Sequence, residues 1–225
     1  MASFADTILW RDVQLHTLCA PLLQKAAYPW EILSLLTDFI RAIGQRLPPD
    51  EYETLADGVW AARTAHIAPS ACIGAPCIIG HDTDIRHGAF IRGSALIGDR
   101  VVVGNSTELK NCVLFDGVQA PHFNYVGDSI LGYRAHLGAG AITSNIKSDR
   151  SDIVVRIEQA RIPTGRRKLG AMIGDFVEIG CNSVLNPGTV VGRESVVYPA
   201  LSVRGYVGEQ CICKSAKEII KKRRS

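Results

Sequence analysis

HIAPSACIGAPCIIGHDTDIRHGAFIRGSALIGDRVVVGNSTELKNCVLF, residues 66–115, carries a large apolar residue at every sixth place. Set in sixes, the column reads Ile67, Ile73, Ile79, Ile85, Ile91, Ile97, Val103, Leu109 and Phe115. Four places on from each stand small or β-branched residues, among them Ala71, Cys77, Thr83, Ala89, Ala95 and Thr107, and glycine recurs at Gly74, Gly80, Gly98 and Gly104. The rhythm returns over Ile173, Ile179, Leu185, Val191, Val197 and Val203.

A period of six fits neither a 3.6-residue helix nor an isolated hairpin. It is a hexapeptide internal repeat, in which one short strand cannot bury its face alone and stacking supplies the core. Three hexads make a triangular coil of about 18 residues, with the aliphatic column inward and the small residues near the corners. The expected fold is mainly β, a left-handed parallel β-helix, the hand being taken from the fold type and not from the pattern.

Outward from the repeat, residues 1–58 read as a helical segment. Trp30, Leu33, Leu36, Ile40 and Ile43 recur at helical spacing behind Pro29, and Pro48 and Pro49 end the run. The simplest role for one to three such helices is a lid over the open end of the β-helix, where unpaired strand edges invite aggregation. The β-helix is expected over 59–210. A basic tail, 211–225, is read as a short terminal helix whose cations either face solvent or meet ligand phosphates.

Composition narrows the function classes. The 225 residues are 47% hydrophobic and 21% charged with a net charge of +3, and the most basic run, KKRR at 221–224, is terminal. Nucleic-acid binding has little support from such a balance. The apolar segment 32–43 contains Asp38 and Arg41, so neither a membrane span nor a signal-peptide core is expected, and the location read from this is cytoplasmic. The seven cysteines include no Cys-x-x-Cys pair. Buried free thiols are one reading, and a metal held by Cys211 and Cys213 the other, for which no second ligand pair stands nearby.

The rhythm breaks twice. The column is lost after Phe115 and returns at Val126, Leu131, Leu137 and Thr143, so "APHFNY", 120–125, is expected to leave the stack as a loop. A longer departure, the inserted loop 145–168, is long enough to form an arm, with a hairpin as one form it can take. Arg92 and Lys110 each follow an inward aliphatic and lie one coil apart, which stacks two cations at strand spacing, about 5 Å. Either an anion joins them or they point to solvent and pair with Glu108 or Asp99. His122, inside the first break beside Tyr125 and upstream of a glycine-rich LGAGAITSN, is open to both a structural and a catalytic reading.

The stretch ELKNCVLFDGVQAPHFNYVGDSILGYRAHLGAGAITSN, 108–145, resembles the left-handed β-helix acetyltransferase domain of the glucosamine-1-phosphate N-acetyltransferase and UDP-N-acetylglucosamine pyrophosphorylase enzymes. YPWEIL at 28–33 looks like the linker before that domain, and GRRKLGAMIGD at 165–175 like the sugar-1-phosphate nucleotidyltransferase branch. The resemblance implies an acetyl-CoA-dependent N-acetyltransferase of a hexosamine 1-phosphate, glucosamine 1-phosphate first, in nucleotide-sugar biosynthesis. His122 matches the general base, Tyr125 and Asn145 residues holding the amino sugar, and Arg92 with Lys110 the pair binding its phosphate. Ala139 matches a backbone contact to coenzyme A. A homotrimer is implied, with the active site between subunits, and no metal is needed for the transfer.

Departures from the family pattern stand at His136, where the commonest form has an asparagine near the amino group, and at Cys181, where a serine often lies near the thioester. NIKSDR replaces a tyrosine-containing loop after Asn145. The nucleotidyltransferase domain has no counterpart in these residues, so pyrophosphorylase activity is not expected. Two rivals remain. A β-helix carbonic anhydrase would hold zinc through histidines drawn from His66, His81, His87, His122 and His136, but the His-x4-His pair of that family is missing. A non-catalytic sugar-phosphate or nucleotide-sugar binding scaffold differs from the enzyme in having no turnover.

Overall fold

The computed structural model describes residues 8–222. Its strands stack in parallel registers on three faces, as the hexads require. On face I, Ile67, Ile85, Val103 and Ala120 lie in register, then Leu137 with Ile179 and Val197. On face II, Ile73, Ile91, Leu109, Val126, Thr143, Leu185 and Val203 do so. Face III aligns Ala61, Ile79, Ile97, Leu114, Leu131, Ile173, Val191 and Val207. Most of these side chains are fully buried, so the three columns are the core.

The break at 120–125 is not a loop. Strand Gln119–His122 stays paired with Val102–Asn105, His122 opposite Asn105, and strand Tyr125–Leu131 pairs throughout with Glu108–Leu114. What changes is coil length. Between faces II and III the earlier coil runs Ile91 to Ala95, whereas the next two run Leu109 to Cys112 and Val126 to Ser129, each one residue shorter. The inward residue is therefore Leu114, and Phe115 falls one place past the column. The column was never lost; it takes two five-residue steps. The arm is inserted at this same corner one coil later, after Thr143 and before Ala171.

The shortened corners have their own chemistry. Asn111 and Asp128 take left-handed backbone, φ 49° at both, a conformation that asparagine and aspartate tolerate better than most side chains. The Gly127 amide donates inward to Thr143 Oγ1 at 3.0 Å, and Ser129 Oγ lies 2.8 Å from Gly127 O and 3.0 Å from the same threonine hydroxyl. That accounts for a threonine in an aliphatic column: its hydroxyl satisfies polar groups at the corner.

The N-terminal segment is helical over Val13–His16, Ala20–Leu23, a 3-10 turn Pro29–Ser34 and Leu36–Gly44, but it is not an end lid. It runs along the side of the coils, from the corner between faces III and I across face III, where Leu36–Gly44 packs and Thr37 meets Ser94 at the far corner. Trp10 Nε1 donates to Ile173 O at 2.8 Å, the Asp175 amide to Leu9 O, and the Asp116 amide to His16 O. Trp10 is fully buried against Phe115, ring centroids 5.1 Å apart, and it lies over Gly132, where a Cβ would come 2.5 Å from the indole.

Each end carries a hairpin on one face instead. Tyr52–Ala56, within the segment expected to be helical, pairs antiparallel with Val59–Ala62, which starts face III. At the other end Cys211–Ser215 pairs with Val196–Val197 and turns back as Glu218–Lys221, a strand where a terminal helix was expected. Alternating burial at Cys211 and Cys213 fits a strand and not a helix. Each hairpin covers the strand edge of one face, face III at the first coil and face I at the last. Of the run KKRR, Arg223 and Arg224 lie outside the described residues. No helix among the described residues is long and apolar enough to cross a membrane.

Candidate active site

The corner between faces I and II carries one group of the expected residues. His122 ends its strand there, and its carbonyl accepts the Gly140 amide at 3.0 Å from the coil after, while the Asn182 amide from the next coil reaches Ala139 O at 2.8 Å. His122, Ala139 and Cys181 thus follow one another down a single corner. Buried Asn124 fixes the turn: its Oδ1 accepts the His122 amide at 3.1 Å, and its Nδ2 donates to Gly138 O at 2.9 Å. The backbone of His122 is therefore pinned, while its exposed imidazole makes no hydrogen bond within the described residues. The Ala139 amide likewise donates to no protein acceptor among them.

Face II and its far corner carry the second group. Arg92 pairs with Glu108 at 2.8 Å, which is one of the two readings open from the spacing, and Lys110 pairs with Asp128 at 3.1 Å. The two cations sit in adjacent coils in register, as expected. Asn145, at the root of the arm, reaches Tyr125 Oη at 3.2 Å and Asp128 Oδ2 at 2.5 Å. Tyr125 folds over Gly127, where a Cβ would stand 2.4 Å from the hydroxyl. Burial, then the carboxylates of Asp128 and Glu108, push the phenol pKa up, so Tyr125 remains a protonated donor.

Asp128 is the residue that sequence reasoning missed. Only 3% exposed, it gathers Lys110, Asn111 and Asn145 on one carboxylate. The signal was present in the five-residue step from Val126 to Leu131, which puts Asp128 at the corner. Read in strict sixes, its Gly-Asp pair looks like Gly98-Asp99 and Gly174-Asp175, which belong to a different corner.

His136 stays apart from this cluster. It lies on face I, where its Nδ1 is 2.7 Å from Glu178 Oε2 of the neighbouring strand. Cys181 is exposed, and Cys77 and Cys112 are buried thiols whose pKa burial raises, to about 12 for Cys77. The described residues contain no group of three or more His, Cys, Asp or Glu arranged to hold a metal.

Electrostatically the two ion pairs differ. Arg92 and Glu108 are 47% and 34% exposed, so solvent and salt screen their attraction. Lys110 and Asp128 are 27% and 4% exposed, so that pair is a fixed part of the wall.

The profile of the GMPPB C-terminal domain matches residues 73–222. A bifunctional sugar-1-phosphate nucleotidylyltransferase/acetyltransferase of Sulfurisphaera tokodaii is 39% identical over 103 residues, 46% of this chain and 26% of that protein. The bifunctional protein GlmU of Methanococcus maripaludis is 30% identical over 201 residues, 88% of this chain and 49% of that protein. The chain thus spans about half the length of these curated relatives or less. Among solved structures, a hexapeptide transferase family protein from Anaplasma phagocytophilum is similar at a TM-score of 0.41 and 16% identity, covering 74% of this chain and 81% of that one.

Proposed function

The chain belongs to the GMPPB C-terminal domain family, and from that premise we propose that it is an acetyl-CoA-dependent N-acetyltransferase of a hexosamine 1-phosphate. His122 is the general base. The observation that carries this reading is the pairing at one corner of an imidazole on a pinned backbone with the amide of Ala139 one coil on, neither having a hydrogen-bond partner among the described residues. The strand carrying Tyr125 begins just past the same corner.

The chemistry is direct transfer. The sugar amine attacks the thioester carbonyl, His122 takes the amine proton, and the Ala139 N–H steadies the oxyanion of the tetrahedral intermediate. Collapse expels the coenzyme A thiol, which recovers a proton from the imidazolium, leaving the amide. Tyr125 and Asn145 hold the sugar, Arg92 and Lys110 its phosphate, and Cys181 lies near the thioester. No covalent enzyme intermediate forms, and the step requires no metal.

The working unit in this reading is a homotrimer, in which a second subunit closes the cleft. Exposed apolar side chains support it: Phe90 and Ile142, in register with Glu108 and Tyr125, and Phe123 at the corner. The test is thiol release from acetyl-CoA with glucosamine 1-phosphate, galactosamine 1-phosphate and the corresponding 6-phosphates. Release with a 1-phosphate alone supports the reading and identifies the acceptor; release with none of the four refutes it.

A further inference from the structure

The inserted arm does more than leave the surface. Its hairpin, Val154–Ile157 with Ala160–Pro163, docks through Ile153, Val155 and Ile157, all buried, against Gly188, where a Cβ would come 2.8 Å from Ile153. The arm so docked forms one wall of a cavity of about 210 Å³ whose other wall is the backbone of Gly188 and Gly205. Four cations line that cavity: Lys147, Arg156, Arg161 and Arg204.

Two features set this cluster apart from ordinary surface charge. Arg156 and Arg161 stand directly opposite each other across the hairpin, where like charges oppose pairing. None of the three arginines has a hydrogen bond or ion pair from its side chain within the described residues, whereas Arg86, Arg92 and Arg193 each face a carboxylate. The nearby Asp149 is engaged elsewhere, its Oδ1 accepting from the amide and hydroxyl of Ser151. Lys147 is held in place by Ser151 Oγ and by Asp152 O at 2.9 Å.

We propose that this cavity binds the diphosphate group of a nucleotide-type small molecule. Three guanidinium forks and an ammonium around a small hollow match the several oxygens and charges of two linked phosphates, and an anion there removes the repulsion between Arg156 and Arg161. The inference stands on the arm and not on the acyl-transfer reading, and its test is binding alone.

Calorimetric titration of the full chain with inorganic diphosphate, UDP, ADP and coenzyme A reads it directly. Diphosphate is expected to saturate one site per chain, with Kd weakened about tenfold or more in Arg161→Thr and in Arg204→Gln. A nucleoside diphosphate binding more tightly than coenzyme A makes a free nucleotide the source of the diphosphate; the reverse order makes it the coenzyme. Without ligand, Arg161→Thr is expected to keep or raise the melting temperature, because it removes a like-charge pair and inserts a good strand former. Absence of saturable diphosphate binding, an unchanged Kd in both variants, or a lowered ligand-free melting temperature would overturn the proposal.

Discussion

The side-chain amide of Asn145 bridges Asp128 Oδ2, at 2.5 Å, and Tyr125 Oη, at 3.2 Å, joining a buried carboxylate to a phenol on face II. With Lys110 and Asn111 on the same carboxylate, Asp128 organises one side of the site. Asp128→Ala leaves Lys110 half-buried without its counter-charge. The expected cost is about 3 kcal/mol, read as a lowered urea midpoint at unchanged m-value.

Gly127 lies beneath the Tyr125 ring, and its backbone is not in the left-handed region, so a methyl group there meets first the ring above it. Gly127→Ala is expected to swing Tyr125 off Asn145. Steady-state kinetics should show KM for the amino sugar raised about tenfold, the cost of one lost hydrogen bond to a polar substrate, with the melting temperature nearly unchanged.

Trp10 tethers the N-terminal segment to the coils through Ile173 O and Phe115. Trp10→Ala removes a fully buried indole and leaves the space over Gly132 empty, at about 3–5 kcal/mol. Differential scanning calorimetry should show a melting temperature lower by roughly 10 °C.

Asp175 receives the amides of Arg11 and Tyr133, yet burial pushes its pKa from 3.8 up to about 6. A raised folded value means that between about pH 4 and pH 6 the folded state holds more protons than the unfolded chain. This group's contribution to stability is therefore complete below about pH 4 and is lost as the pH rises through about 6. Urea titrations should find the wild type gaining on the order of 2 kcal/mol from this group between pH 7 and pH 4, a gain absent in Asp175→Asn.

The parts of the fold legible in the sequence are those where one periodicity acts on every residue. The aliphatic columns from Ile67 to Leu109 and from Ile173 to Val203 hold because each coil meets the same packing demand. Strict sixes failed at Phe115, because Leu109 to Leu114 takes five residues, and that single slip turned a continuous stack into an apparent loop. It also hid Asp128. Trp10 was illegible for a different reason: its partner Ile173 is remote in sequence and leaves no local period. The terminal hairpins join neighbouring segments, Tyr52–Ala56 with Val59–Ala62 and Cys211–Ser215 with Glu218–Lys221, and their outer strands lie outside the sixfold column. Within the site, the Arg92–Lys110 stacking was legible as spacing and Glu108 as one of two candidate partners, whereas Asp128 as the partner of Lys110 depended on corner geometry.

The most direct measurement is thiol release from acetyl-CoA with glucosamine 1-phosphate, wild type beside His122→Ala. The account predicts release by the wild type and a fall in kcat of about 10²–10⁴-fold in the variant, with an unchanged melting temperature. Turnover by His122→Ala equal to that of the wild type would contradict it.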